Sequence, residues 1–251
     1  MGRIAVVNQK GGVAKTTTAV NVAHGLALSG YRVLLIDLDS QGSATLSFGL
    51  DLAPATYRLL LAKEPLAKIV VRTRPNLDVL PSDESLADVR DWLAVRSTRS
   101  RGILSTLTDA IGKSAEDYDF ILMDCGPGLD LITLNALMFA DTLLVPVSVD
   151  YLSAAGTRLQ IETLRGLEEV GGEAKLRYLL PTFYDGRLRR AREILGLLQT
   201  HFGSIVTDPI RANTRLAEAP HHGQTIFEYD SNANGAKDYQ ELVRRILNEQ
   251  T

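Results

Sequence analysis

Residues 6–20 read VVNQKGGVAKTTTAV. A β-branched run leads into two glycines, and Lys-Thr-Thr-Thr then opens a segment with helical apolar spacing. Strand, Gly-rich turn and helix in this order suit an anion: the turn aims backbone N–H groups inward, and the helix start adds its positive dipole end. The usual phosphate-loop pattern is G-x-x-x-x-G-K-[ST]. Setting its Lys-Thr pair on Lys15 and Thr16 puts Gln9 and Ala14 where the pattern has glycine. Gly11 and Gly12 still allow close backbone approach. Lys15 would neutralise phosphate charge, and the Thr16 hydroxyl would face Mg²⁺. The expected cradle is Gly11, Gly12, Val13, Ala14, Lys15, Thr16 and Thr17. A Gly-turn helix cap with surface lysines accounts for the glycines but not for the whole order. One lysine, Lys10, is left over.

Outward from the loop, the chain alternates. Runs at 3–8, 32–37, 120–124 and 142–147 are apolar and continuous, and 176–182 is expected to form a further strand. Strands apolar on both faces belong in the middle of a parallel sheet. Helical patterns are expected near 15–30, 55–62, 84–95, 102–112, 131–139, 153–170, 188–201 and 235–248. The fold class that follows is α/β, a P-loop nucleotide-binding fold with a mostly parallel central sheet and helices on both faces. No repeat or long linker divides the chain, so residues 1–251 read as one domain. The arginine-rich 95–102 is expected to join two helices.

Two acidic stretches agree with the loop. LLIDLDSQG ends a strand with Asp37 and Asp39, and FILMDCGPG ends another with Asp124. Ligands of open parallel sheets sit at the carboxyl ends of the strands, so these carboxylates should share the crevice of the loop. One such Asp is ordinarily a turn former. Several beside a phosphate loop suggest handling of Mg²⁺ and water.

Composition excludes some classes. The chain is 45% hydrophobic and 23% charged, with a formal net charge of −3. Nucleic-acid binding would therefore need a local basic patch. A single cysteine, Cys125, excludes an intrachain disulfide and suits a reducing, cytoplasmic setting. No apolar run approaches the about 18 residues of a membrane span. The start shows no signal-peptide pattern.

NQKGGVAKTTTAVNVA, VLLIDLDSQGSAT, DFILMDCGPGLDLITLNAL, LLVPVSVDYLSAAG and RLAEAPHHGQTI occur in that order. Together they resemble the ParA/Soj partition ATPases, the deviant Walker A group that includes MinD, over residues 3–248. In that group the loop reads x-K-G-G-x-x-K-[ST], so Gln9 is no defect. The resemblance implies ATP and Mg²⁺ as cofactors. It gives Lys10 a role across a nucleotide-sandwich homodimer, on the partner's phosphates. It makes Lys10, Lys15 and Asp39 the catalytic set, with Thr16, Asp39 and Asp124 at the metal. It makes Gly126, Pro127 and Gly128 a switch sensing the γ-phosphate, and puts Ile210, Arg211 and Asn213 beside the adenine. Some relatives read I-P-R-N there, so Ala212 stands where they carry arginine.

Arginines gather at 187, 189, 190 and 192, and again at 211 and 215. By themselves they read as a solvated basic face. The resemblance makes Arg187 and Arg215, with Arg189 and Arg190 beside them, a surface for non-specific double-stranded DNA. It implies a ParB-like activator, nucleoid association, and segregation of chromosome or plasmid cargo. Positioning of a protein organelle by the same chemistry, as McdA does for carboxysomes, is the alternative. MinD-like membrane cycling needs an amphipathic helix beyond the domain, and DYQELVRRILNEQT, which mixes acids and bases, is expected to be the last helix of the domain itself. A cluster-bearing reductase needs more cysteines. A helix-turn-helix domain ahead of the first strand is not expected. His221 and His222, with no acidic or cysteine ligand near, read as a loop pair.

Overall fold

A computed structural model describes residues 2–97, 101–149, 166 and 173–249. The helical pattern at 153–170, residues 150–156 of the fourth motif and Arg99 lie outside that set, apart from residue 166. Seven strands form one sheet in the order β3-β4-β2-β5-β1-β6-β7. They are β1 (Gly2–Val6), β2 (Val33–Leu38), β3 (Val71–Arg74), β4 (Leu77–Leu80), β5 (Phe120–Cys125), β6 (Thr142–Ser148) and β7 (Lys175–Thr182). Every pairing is parallel except that of β3 with β4.

Alternation along the strands divides the core in two. Ile4 and Val6, Val33 and Leu35, and Phe120 and Leu122 face α1 (Lys15–Leu28) and the helix Asn234–Glu249. Ala5, Leu34 and Ile36, and Ile121 and Met123 face the layer that holds the helices Leu86–Ser97, Thr106–Ile111 and Leu131–Phe139. Both faces are dry, which is why these strands carry unbroken apolar runs. The expected α/β architecture with helices on both faces is the one found.

The hairpin β3–β4 was not among the expected strands. Its turn holds Asn76 at φ 62, a left-handed position that asparagine tolerates. Asp78 is buried in β4, opposite Arg72, and bonds to the Arg72 guanidinium and the Tyr118 hydroxyl. A charged cross-strand pair thus replaces the apolar alternation that marks a strand. The 102–112 pattern divides into a 3₁₀ turn, Arg101–Ser105, and the short helix Thr106–Ile111.

Candidate nucleotide site

The site follows from register. Val6, Asp124 and Asp37 stand level on the adjacent strands β1, β5 and β2. The loop after β1 therefore leaves the sheet beside both aspartates. Asn8, to which the sequence assigned no role, anchors it: its side chain donates to the Pro146 carbonyl at 2.8 Å and accepts the Lys10 N–H at 3.0 Å. From the other side the Thr182 hydroxyl donates to the Val13 carbonyl at 3.2 Å. The Lys15 ammonium donates to the Lys10 carbonyl at 3.1 Å, so it lies inside the turn. Gly12 sits at φ +69, and a Cβ on Gly11 or Gly12 would meet nothing within 4 Å. The turn is open where a phosphate has to approach.

Ala14 precedes α1 at φ 69, ψ 33, and no side chain caps the helix. The first helical bond runs from Thr18 N–H to the Ala14 carbonyl. The N–H groups of Lys15, Thr16 and Thr17 come before it and need a partner from outside the helix. An uncapped helix start, a buried lysine and open glycines form an anion cradle. Burial lowers the Lys15 pKa, while the charge of Asp124 works against that shift.

The two strand-end carboxylates differ. Asp37 is fully buried and accepts the Thr45 N–H (2.9 Å), the Thr45 hydroxyl (2.7 Å) and the Asp39 N–H (3.2 Å). Burial outweighs these donors and pushes its pKa from 3.8 up to about 6. Its role is to hold the turn after β2. Asp124 is equally buried, yet neither carboxylate oxygen has a well-formed hydrogen bond. Burial, then the charge of Asp37, raise its pKa well above the ordinary 3.8, and the nearby Thr16 hydroxyl eases this. An unpartnered buried carboxylate beside a threonine hydroxyl and a phosphate cradle fits a hard divalent cation.

Asp39 is half-buried at the rim, and its side chain accepts the Gln41 N–H at 3.0 Å. Gly42 closes this turn, its N–H bonded to the Asp39 carbonyl. It sits at φ +62, where a Cβ would lie 2.2 Å from Leu52 Cδ2. Gly126 abuts the Asp39 carboxylate, at 3.6 Å from a Cβ position to Cγ. The glycine-proline-glycine stretch thus lies next to Asp39. Asp130, just beyond it, caps the helix Leu131–Phe139 through the Thr133 N–H. Cys125 is a buried core thiol.

The segment expected beside adenine is engaged otherwise. The Ile210 side chain is buried in the core. Arg211 binds Asp238 through its backbone N–H (2.9 Å) and its guanidinium (2.6 Å). Asn213 caps the helix Thr214–Glu218 through the Arg215 N–H. The side chains of these residues are thus committed to the fold. His221 and His222 end a 3₁₀ turn, and the His222 ring stacks on Tyr229 at 5.1 Å.

The arginines come together through the backbone. Tyr184 N–H donates to the Ile210 carbonyl and Ala212 N–H to the Tyr184 carbonyl, so the loop carrying Arg187 lies beside the segment leading to Arg215. Arg187, Arg189 and Arg190 are exposed. The expected patch is not bare, however. Arg187 pairs with Asp185 at 2.7 Å, Arg189 with Glu193 at 2.7 Å, and Arg215 with Glu218 at 2.9 Å.

Fold and loop together define a P-loop nucleotide-binding protein. The AAA domain family model AAA_31 matches residues 1–176. The chromosome-partitioning ATPase Soj of Thermus thermophilus is 40% identical over 250 residues, spanning 98% of this chain and 95% of that protein. The cell division protein PomZ of Myxococcus xanthus is 36% identical, spanning 96% and 76%. Among solved structures, the cobyrinic acid a,c-diamide synthase of Mycobacterium smegmatis with bound ADP and magnesium superposes with a TM-score of 0.82. It shares 30% identity and covers 100% of this chain and 96% of that one. The chain belongs to the ParA/Soj partition ATPases of the ParA/MinD superfamily.

Proposed function

We propose that this chain is a Mg²⁺-dependent ATPase that dimerises on ATP, binds double-stranded DNA without sequence preference, and positions chromosome or plasmid cargo with a ParB-like partner. The observation that carries the reading is the convergence of Lys15, Thr16, Asp39 and Asp124 on one phosphate cradle. Thr16, Asp39 and Asp124 would hold magnesium, which neutralises phosphate charge when bound. Lys15 and the N–H groups of the loop bind and orient the phosphates. Asp39, at the rim against Gly126, is placed to orient a water for attack. Lys10, exposed on the outer side of the turn, is the group to reach a partner's phosphates. Backbone of Ile210, Arg211 and Asn213 borders the adenine.

Support for the cargo class comes from the relatives, which are named for chromosome partition and cell division. No helix among the described residues is long and apolar enough to cross a membrane, and nucleoid DNA is the proposed surface.

The test uses three variants in parallel. Lys15→Ala should lose ATP binding in calorimetry. Lys10→Ala should bind ATP but sediment as a monomer with ATP and Mg²⁺. Asp39→Ala should dimerise with ATP and fail to hydrolyse it. Wild-type ATP affinity in Lys15→Ala would remove the basis of the site.

A further inference from the structure

Six arginines, at 187, 189, 190, 192, 211 and 215, lie on the proposed DNA surface or its margin. Five carboxylates face this set. Asp185 takes Arg187 through a two-pronged bond. Glu193 takes Arg189, and Asp238 takes Arg211. Glu218 lies 2.9 Å from Arg215, and Asp230 lies 3.7 Å from it. Arg192 is turned onto the Gly186 carbonyl at 2.5 Å. The field that a DNA duplex meets is much weaker than the arginine count suggests.

The pair at Arg215 is held from a second side by an aromatic residue. Glu218 Oε2 accepts from both the Arg215 guanidinium (2.9 Å) and the Tyr229 hydroxyl (3.0 Å). The guanidinium also lies 5.9 Å from the centre of the Tyr229 ring. Tyr229 is in turn stacked on His222. A carboxylate held from a second side loses less freedom on pairing than one on an ordinary exposed side chain. The Tyr229 hydroxyl first, then Arg215, lower the Glu218 pKa, so the acid stays charged at neutral pH.

We infer that Glu218, oriented by Tyr229, is an internal competitor for DNA phosphate at Arg215, and that Asp185 acts in the same way at Arg187. Asp185 presents both oxygens to the Arg187 guanidinium and Glu218 presents one, Oε2, to that of Arg215, so each occupies donors that a phosphate would use. DNA must displace it, so each arginine delivers only the difference between the two partners. Glu218 is thereby a residue that sets affinity without touching DNA. The consequence is weak binding by one subunit, so that pairing two surfaces decides whether the protein is on or off DNA. This rests on the DNA reading proposed above, and the experiment separates the two.

Fluorescence anisotropy with an unrelated duplex, across a salt series with ATP and Mg²⁺, compares wild type with Glu218→Gln, Arg215→Ala and Glu218→Gln/Arg215→Ala. Thermal melts check that each variant is folded. Glu218→Gln should bind about five- to tenfold more tightly, with a steeper dependence on log salt, because no displaced carboxylate is left to take back a cation when Arg215 meets its phosphate. In the Arg215→Ala background the same substitution should change nothing, since its effect passes through that arginine. Tyr229→Phe should give a smaller gain of the same sign. If Glu218→Gln tightens binding equally with and without Arg215, the effect is general charge removal and the competitor role is overturned. The role is overturned as well if Arg215→Ala weakens binding while Glu218→Gln leaves it unchanged. If Arg215→Ala itself binds like wild type, the DNA reading of this surface fails instead.

Discussion

Ala14 occupies the backbone position that a glycine fills in the common phosphate-loop pattern, and it does so at φ 69. An L-residue in the left-handed region costs on the order of 1–2 kcal/mol. Ala14→Gly should therefore stabilise the protein by about 1 kcal/mol, after allowing for the looser unfolded chain. In thermal melts that is a rise of roughly 2–4 °C for a chain of this length. An unchanged or lower melting temperature would show that the loop relaxes the strain elsewhere. Asp37 poses a second question of residue scale. Its folded pKa, about 6, lies above the ordinary 3.8. The sign follows directly: the folded state holds this proton more tightly, so the stability it brings is fully present below 3.8 and is lost as pH rises through about 6. Wild type should lose stability relative to Asp37→Asn between pH 4 and 7. Denaturant melts of the two proteins at several pH values measure the gap. A constant gap would mean that Asp37 stays ionised throughout.

Among the elements, the helix Leu131–Phe139 connects the site to the core. Its cap, Asp130, accepts the Thr133 N–H at 2.9 Å, two residues past the Gly-Pro-Gly stretch that lies beside Asp39. Asp130→Ala should cost about 1 kcal/mol of stability. It should also lower the ATPase rate more than nucleotide affinity, because it loosens the stretch beside Asp39 and leaves the loop alone. Equal losses in both would place the effect in general unfolding. Legibility in the sequence follows the same division. β1, β2, β5 and β6 were readable because both faces of each are buried, so their apolar runs are continuous, and β7 because its run is buried from Tyr178 onward, past the exposed Arg177. β4 was not, because its Asp78 is neutralised by Arg72 from β3 and by Tyr118, a residue forty positions away. The phosphate loop is one contiguous stretch and declares itself. Asn8 gave a faint signal as a polar residue closing an apolar run. Thr45, eight residues from the Asp37 it binds, gave none. The arginines were legible as a cluster but their neutralisation was only partly so. Arg189 and Glu193 are a helical i, i+4 pair, whereas Arg211 and Asp238 meet only through the fold.

For the whole molecule, the issue the proposed function raises is how an acidic protein would hold an acidic polymer. The formal net charge is −3, so long-range attraction offers no help and binding must come from a local face. That face is itself partly neutralised by Asp185, Glu193 and Glu218. A single weak face gives low occupancy at physiological salt. Two faces joined in one dimer bind with the second contact made intramolecular, which raises overall affinity by orders of magnitude without any new contact. On the proposed function, nucleotide would then govern DNA binding through dimerisation alone. Filter binding with unrelated duplexes should show tight retention with ATP and Mg²⁺ and weak retention with ADP, the ATP complex falling more steeply with salt. Lys10→Ala isolates the link, since its own loop remains able to bind ATP while the reach to a partner is lost. It should bind DNA with ATP only as weakly as wild type does with ADP, and with the same shallow salt slope. If Lys10→Ala stays monomeric and still retains DNA with ATP as wild type does, ATP acts on the DNA face within one subunit. The route from nucleotide to DNA would then run through the chain itself.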